Sequence, residues 1–251
     1  MTDESEILKK RFLELARRSY ASDIFTFTDF LGLAEQSYFE EIKRELSAIK
    51  YEMFGGALGA ERVMIRFGDP AEIGYDVPFP ISTLKIEPTS PRFAEKLGHR
   101  DYLGALLNLG IERSVLGDIA IIDGAAYVFV EENIADYIAK ELTRVRHTEV
   151  KLSTTEPPAE SLYKTEERII QLSGERLDAA VAKVFCLSRD EAQLLIRRGV
   201  VFVSGRATES QSYVPKIGEI VSVRGHGRFI YNGQVSLSRK GKLNISVSVY
   251  V

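Results

Sequence analysis

Residues 188–199, Ser-Arg-Asp-Glu-Ala-Gln-Leu-Leu-Ile-Arg-Arg-Gly, constrain the fold more than any other stretch, because both ends of a helix are written into them. Ser188 offers an N-cap oxygen, Glu191 stands where it completes a capping box, and Gly199 occupies the place of a left-handed C-terminal stop. The helix is therefore short. Ala192, Leu195 and Ile196 recur at helical spacing and face a core, which leaves Arg189, Gln193, Arg197 and Arg198 for water or a polyanion. An earlier helix opens at Arg176-Leu177-Asp178, and Lys183, two turns after Arg176, returns to the same face. Asp178 reads as an orienter of Arg176 or a helix cap, since a bare carboxylate facing phosphate is repelled.

Charge divides the chain. Residues 168–251 hold 13 Lys plus Arg against 6 Asp plus Glu, a balance of +7, whereas the preceding 167 residues hold 20 against 30, a balance of −10. A basic module joined to an acidic one implies that the C-terminal part meets phosphate, where each neutralised group releases counterions. Solvated surface charge is the plain alternative. The turn Arg239-Lys240-Gly241-Lys242 stays open in the same way, as a solubilising tip or a phosphate finger.

With 251 residues the chain has room for two or three domains. The single cysteine, Cys186, excludes an internal disulfide framework and fits a reducing compartment; it reads as a packed thiol on the apolar side of the first basic-module helix. No zinc site can be assembled, and no metal or cofactor is expected. The acidic start lacks a signal peptide's basic head and apolar core, and no apolar run approaches membrane length, so a cytoplasmic protein without a membrane partner is expected.

Periodicity sets out an α+β chain. Residues 1–72 read as mainly helical, with one apolar stripe through Ile7, Leu8, Phe12, Leu15 and Ala16 and another through Tyr38, Phe39, Ile42, Leu46 and Ile49. Residues 55–59, Gly-Gly-Ala-Leu-Gly, lack the Gly-Lys-Ser/Thr of a phosphate loop and read as a turn; residues 62–67 alternate like a strand. Within residues 73–153 the order is strand (82–87), helix (100–108, stopped by Gly110), a hairpin across Asp123-Gly124 (119–122 and 125–130), helix (134–145) and strand (148–152). This β-α-β-β-α-β order is that of ferredoxin-like domains and RNA-recognition motifs, which makes a second RNA surface an expectation here. Its candidates are His99, Arg100, Tyr102, Tyr127 and Phe129, although strand aromatics such as the last two more often pack than stack bases. Residues 154–167 are polar and proline-containing, as a linker, and residues 168–251 form the basic module, with strands around Val201, Ile220 and Phe229 and an alternating final strand through Leu243, Ile245, Val247 and Val249.

The basic module resembles the S4 (alpha-L) RNA-binding domain through Arg176-Leu177-Asp178, Val181, Leu187-Ser188-Arg189, Leu194-Leu195-Ile196, Gly199-Val200-Val201-Phe202-Val203, Gly205-Arg206 and residues 218–223, Gly-Glu-Ile-Val-Ser-Val. Ser204 and Glu219 depart from the usual Asn and Asp. Residues 99–113 with Leu116-Gly117-Asp118-Ile119 extend the resemblance to the bacterial YlmH family over nearly the whole chain. That resemblance implies a cytosolic RNA-binding protein of the large ribosomal subunit and tRNA, acting in rescue of stalled ribosomes, with a less direct link to cell division. The expected RNA-binding residues are Arg176, Lys183, Ser188, Arg189, Gln193, Arg197, Arg198, Gly199, Gly205, Arg206 and Lys216.

S4 modules also accompany pseudouridine synthases and rRNA methyltransferases, so an RNA-modifying enzyme is one alternative; a protein-interaction scaffold linked to cell division is another. Against an enzyme, the chain has no glycine-rich cofactor loop, and His99, His147 and His226 have no partnered acid or nucleophile at recognisable spacing. His99, just before a helix, reads as a structural cap or an RNA contact. A non-catalytic RNA binder is expected.

Overall fold

A computed structural model describes residues 3–46, 49–157 and 165–250. The fold is mixed α/β and divides into two compact units, Met1–Leu162 and Tyr163–Val251.

The first unit opens with α1 (Asp3–Ser22), β1 (Thr26–Phe27), α2 (Leu33–Ile42), β2 (Tyr51–Phe54), β3 (Met64–Phe67) and the single turn α3 (Pro70–Ile73). The three strands form an antiparallel sheet in the order β1-β3-β2, against which Phe12, Leu15, Phe39 and Ile42 bury the two expected helix stripes. Residues 1–72 are thus mainly helical as expected, with a small sheet added to the helices. β3 is buried at every position rather than alternating, because helices pack on one face while Phe25 and Phe79 close over Arg66. The Gly-rich stretch before it is a β2–β3 connection, with Gly56 and Gly59 at positive φ. A strand does precede this loop, but another antiparallel strand follows it, so no helix N-terminus faces the loop as phosphate binding would require.

Next come β4 (Ile81–Pro88), α4 (His99–Asn108), β5 (Leu116–Ile122), β6 (Ala125–Glu131), α5 (Glu132–Glu141), β7 (Arg144–Val145) and β8 (Thr148–Thr155). They build an antiparallel sheet in the order β5-β6-β4-β8-β7. Asp123 and Gly124 both adopt positive φ, the geometry a two-residue hairpin loop needs. Ala126, Val128 and Val130 pack towards the helices with Tyr102, Leu106, Ala135 and Ile138. The second helix stops at Glu141, short of the expected Val145: Arg144–Val145 pair with Thr148–Glu149 as a small edge hairpin instead.

The second unit comprises β9 (Thr165–Leu172), α6 (Leu177–Val184), α7 (Arg189–Arg197), β10 (Val201–Val203), β11 (Arg206–Ala207), β12 (Ile220–Val223), β13 (Gly227–Leu237) and β14 (Leu243–Tyr250). Its six strands run in the order β11-β10-β12-β13-β14-β9. Leu177, Val181, Ala192 and Ile196 press the helix pair onto Val201, Val221, Phe229, Ile245 and Val247. The expected linker is narrower than 154–167, since β8 and β9 run into both of its ends; residues 158–164 lie outside the described residues. β9 draws the chain back beside β14 over eight paired residues, a partnership that no local pattern announces.

Candidate nucleic-acid interface

α7 begins and ends where the sequence places it. The Ser188 hydroxyl accepts from the Glu191 amide (3.2 Å), the Ser188 amide donates to the Glu191 carboxylate (2.8 Å), and Gly199 stands at φ 66. Ser188 therefore serves as a cap, with its hydroxyl already engaged. Hydrogen bonding to the Ser188 amide and hydroxyl holds the Glu191 carboxyl below its usual range. The start of α6 is capped from outside: the Leu177 amide donates to the Tyr213 carbonyl (2.8 Å) and the Asp178 amide to that of Gln211 (3.4 Å).

Asp178 is the hub of the helix pair. Its side chain is 0 % exposed, and it accepts Nε (3.1 Å) and Nη2 (3.0 Å) of Arg176, Nη2 of Arg189 (2.9 Å) and Nε2 of Gln193 (3.0 Å). Burial alone pushes this carboxyl up; the bonds from Arg176, Gln193 and Arg189 overcome that and hold it down to about 2. Gln193, read from the sequence as facing outward, is instead half-buried and committed to this carboxylate. Three of the expected RNA contacts are thus tied to one internal acid. The two arginines are not hidden by it, because the Arg176 and Arg189 side chains remain 45 % and 46 % exposed. The carboxylate fixes how the two guanidinium planes face solvent, which lowers the conformational entropy lost on gripping a partner.

The linkage to pH follows from that depressed value. Asp178 contributes stability that is fully present above the ordinary carboxylate pKa near 4 and is lost as pH falls through about 2. Circular dichroism melts of wild type and Asp178→Asn are expected to converge as pH drops through that window; a gap that persists unchanged to pH 2 would refute the coupling.

Lys183 is exposed at the end of α6 and lines one groove with Arg189. Arg197 and Arg198 are exposed at the far end of α7, about 12 Å along its axis from Arg189. Gly205 and Ser204, at φ 80 and 48, make the tight β10–β11 hairpin that presents Arg206, and Lys216 is exposed in the loop before β12. The structure joins Arg176, Arg189 and Gln193 through Asp178 and Lys183 to Arg189; Arg206 and Lys216 belong to the separate β10–β12 connections. Cys186 corrects an expectation: it is exposed in the α6–α7 turn at φ 54, not packed.

The second surface does not assemble. His99 and Arg100 are exposed at the start of α4, where partial desolvation and then the positive charge of Arg113 push the His99 imidazole below its usual pKa. Tyr102, however, is 1 % exposed in the helical core, and Phe129 is wholly buried. Tyr127 is half-buried, with the Lys85 ammonium 5.9 Å from its ring centre. The sheet face on which an RNA-recognition motif would stack bases is closed over Phe129: a Cβ on Gly56 would lie 2.2 Å from the Phe129 ring, and one on Gly117 would lie 2.7 Å from Phe30. Local pattern could not reveal this cover, since Phe30 and Gly56 lie some 70 to 100 residues from Phe129.

What these elements define is a mixed α/β protein of two units whose C-terminal helix pair carries an ordered cationic face. Residues 76–158 match the family model described as the putative RNA-binding domain in YlmH. Over that stretch the chain is similar to the YlmH family. It is 32% identical over 155 residues, 59% of either chain, to the ribosome-associated protein quality control protein P2 of Bacillus subtilis, so the match spans about three-fifths of that relative's length. It is also 35% identical over 65 residues, 26% of this chain and 32% of the other, to the small ribosomal subunit protein uS4 of Chloroflexus aurantiacus. Among solved structures, the cell division protein ylmH from Streptococcus pneumoniae superposes with a TM-score of 0.50 at 16% identity, over 62% of this chain and 93% of that one, a likeness of fold. Among the described residues no helix is long and apolar enough to cross a membrane.

Proposed function

We propose that this chain is a non-catalytic RNA-binding protein that docks on structured RNA of the ribosome, on large-subunit rRNA, tRNA or both, in the rescue or quality control of stalled ribosomes. The observation that carries the reading is the buried Asp178 carboxylate holding Arg176 and Arg189 half exposed on a rigid helix pair. We read the second unit as an S4-type domain, supported by the α6–α7 pair, the hairpin after it and the partial likeness to uS4. We likewise read the central domain as ferredoxin-like, a reading supported by its β-α-β-β-α-β element order and strand order β5-β6-β4-β8. Its base-stacking face is covered, so the C-terminal unit takes the principal RNA contact. The name of the Bacillus subtilis relative supports a ribosomal setting.

Phosphate contact from preset cations makes affinity fall with salt, in steps of about one unit of log-log slope for each cation removed. Arg197→Ala with Arg198→Ala is the clean test, because both side chains are exposed and neither makes an ion pair among the described residues. The double variant is expected to melt like wild type, to bind ribosomes roughly tenfold more weakly at low salt, and to lower the salt slope by about 2. Co-sedimentation with ribosomes at two salt concentrations reads this. Wild-type binding by the variant, with the salt dependence intact, counts against the proposed face.

A further inference from the structure

The hairpin tip whose sequence leaves two readings open is brought by the fold to the helix pair. Lys242, in the loop joining β13 to β14, lines the same groove as Lys183 of α6 and Arg189 of α7, with Gln171, Ser173 and Cys186 completing its polar rim. The groove has a volume of about 540 Å³, with a floor of short side chains from α6, and no carboxylate lines it. Lys183, Cys186, Arg189 and Lys242 are all exposed. The Lys183 and Lys242 ammonium groups make no ion pair among the described residues. The loop itself is held: the Lys242 amide donates to the Ser238 hydroxyl (2.9 Å), the Gly241 amide donates to the Ser238 carbonyl (2.9 Å), and Gly241 takes φ 73. Three cations from three elements thus surround one trough, and of them, among the described residues, Arg189 alone is paired with an acid, the buried Asp178, so that the Lys183 and Lys242 ammonium groups add positive charge that an anion in the trough would offset.

We propose that this trough seats the sugar-phosphate backbone of a structured RNA, with Lys242 as a phosphate contact contributed by the β13–β14 loop in addition to the helix pair. The inference rests on the RNA-docking reading above and adds a groove and a residue to it. An RNA strand is favoured over an acidic peptide by the shape of the site. A continuous trough with charges from α6, α7 and the hairpin suits a phosphate repeat, and its rim amide and hydroxyl, Gln171 and Ser173, suit ribose and phosphate oxygens.

Cys186 is the chain's one cysteine and stands in the trough, so it reports occupancy directly. The test uses the full chain and a short fluorescein-labelled RNA hairpin, with N-ethylmaleimide as the thiol probe. Saturating RNA is expected to slow alkylation of Cys186 several-fold at low salt, with the protection lost at high salt. Lys242→Glu is expected to melt like wild type, bind the hairpin roughly tenfold more weakly, and flatten the salt slope by about 1. The Arg197→Ala, Arg198→Ala variant is run beside it. Should it weaken binding while Lys242→Glu binds normally and Cys186 stays unprotected, the trough is overturned and the docking reading stands. Should no variant change binding, both fall. Protection of Cys186 by a polyglutamate peptide but not by RNA assigns the trough to an acidic protein and overturns the proposal.

Discussion

Replacing Arg176 and Arg189 together by alanine is expected to abolish ribosome binding and also to cost about 3–5 kcal/mol of stability in the C-terminal unit, because it strands a buried carboxylate. Asp178 is 0 % exposed and would keep only Gln193 as a side-chain partner. Its carboxyl, now held down to about 2, would then be pushed up by its burial, so the double variant should be most destabilised at pH above that raised pKa and recover as pH falls through it. Loss of binding in that variant alone would be ambiguous, since unfolding produces it too. Adding Asp178→Asn separates the two effects. The triple variant removes the stranded charge and should regain most of the stability by chemical denaturation, yet it still lacks the two guanidinium groups and should not co-sediment with ribosomes. A triple variant that regains binding with its stability would show that the arginines serve the fold and not the RNA.

Arg62→Ala should unlock the first unit. Arg62 donates Nε to the Leu116 carbonyl (2.8 Å) and Nη2 to those of Phe30 (2.8 Å) and Arg113 (3.0 Å), so one guanidinium ties the N-terminal elements to β5. The Asp118 carboxylate completes the tie by accepting the Glu61 and Arg62 amides (2.6 and 3.1 Å). The Leu116 carbonyl keeps the Arg113 guanidinium (2.8 Å), but the part-buried Phe30 and Arg113 carbonyls lose this donor at about 1–3 kcal/mol each, and with the lost tie to β5 a total of about 3–5 kcal/mol is expected. Lysine should rescue little, since a flexible ammonium cannot point donors along the directions a planar fork does. A second signature sets this apart from simple cavity formation. Arg113, held at about 10 by its burial and then by the charge of Arg62, should return towards the ordinary arginine value in the variant. Hydrogen exchange should show the gain in opening confined to residues before 158, with the C-terminal unit protected as in wild type; uniform loss across both units would contradict this account.

The parts of the fold legible in the sequence are those governed by neighbours a few residues apart. The capping box at Ser188 and Glu191 and the stop at Gly199 are readable because helix ends are satisfied locally. The Asp123-Gly124 hairpin and the element order from β4 to β8 are readable because turn chemistry and side-chain period are short-range signals. Two of the three strands of the N-terminal sheet, β1 and β2, are illegible for the opposite reason. β1 has two residues and β2 four, too short for a period to show, and they exist because β3 pairs with both. Arg144–Val145 likewise continue the apolar rhythm of α5, but their backbone is taken by β8.

The candidate interface divides along the same line. Charge asymmetry and the spacing of Arg176, Lys183, Arg189 and Arg197 mark the basic face in the chain itself, since helix periodicity alone decides which residues share a side. The tertiary fold decides what those cations do. It encloses Asp178, so that two arginines and a glutamine converge on a carboxylate that water cannot reach, and it carries Lys242 across from the β13–β14 loop to Lys183. It also covers Phe129 with segments far away in the chain. Burial and convergence depend on which distant segments meet, and a one-dimensional pattern of charge and hydropathy carries no record of that meeting.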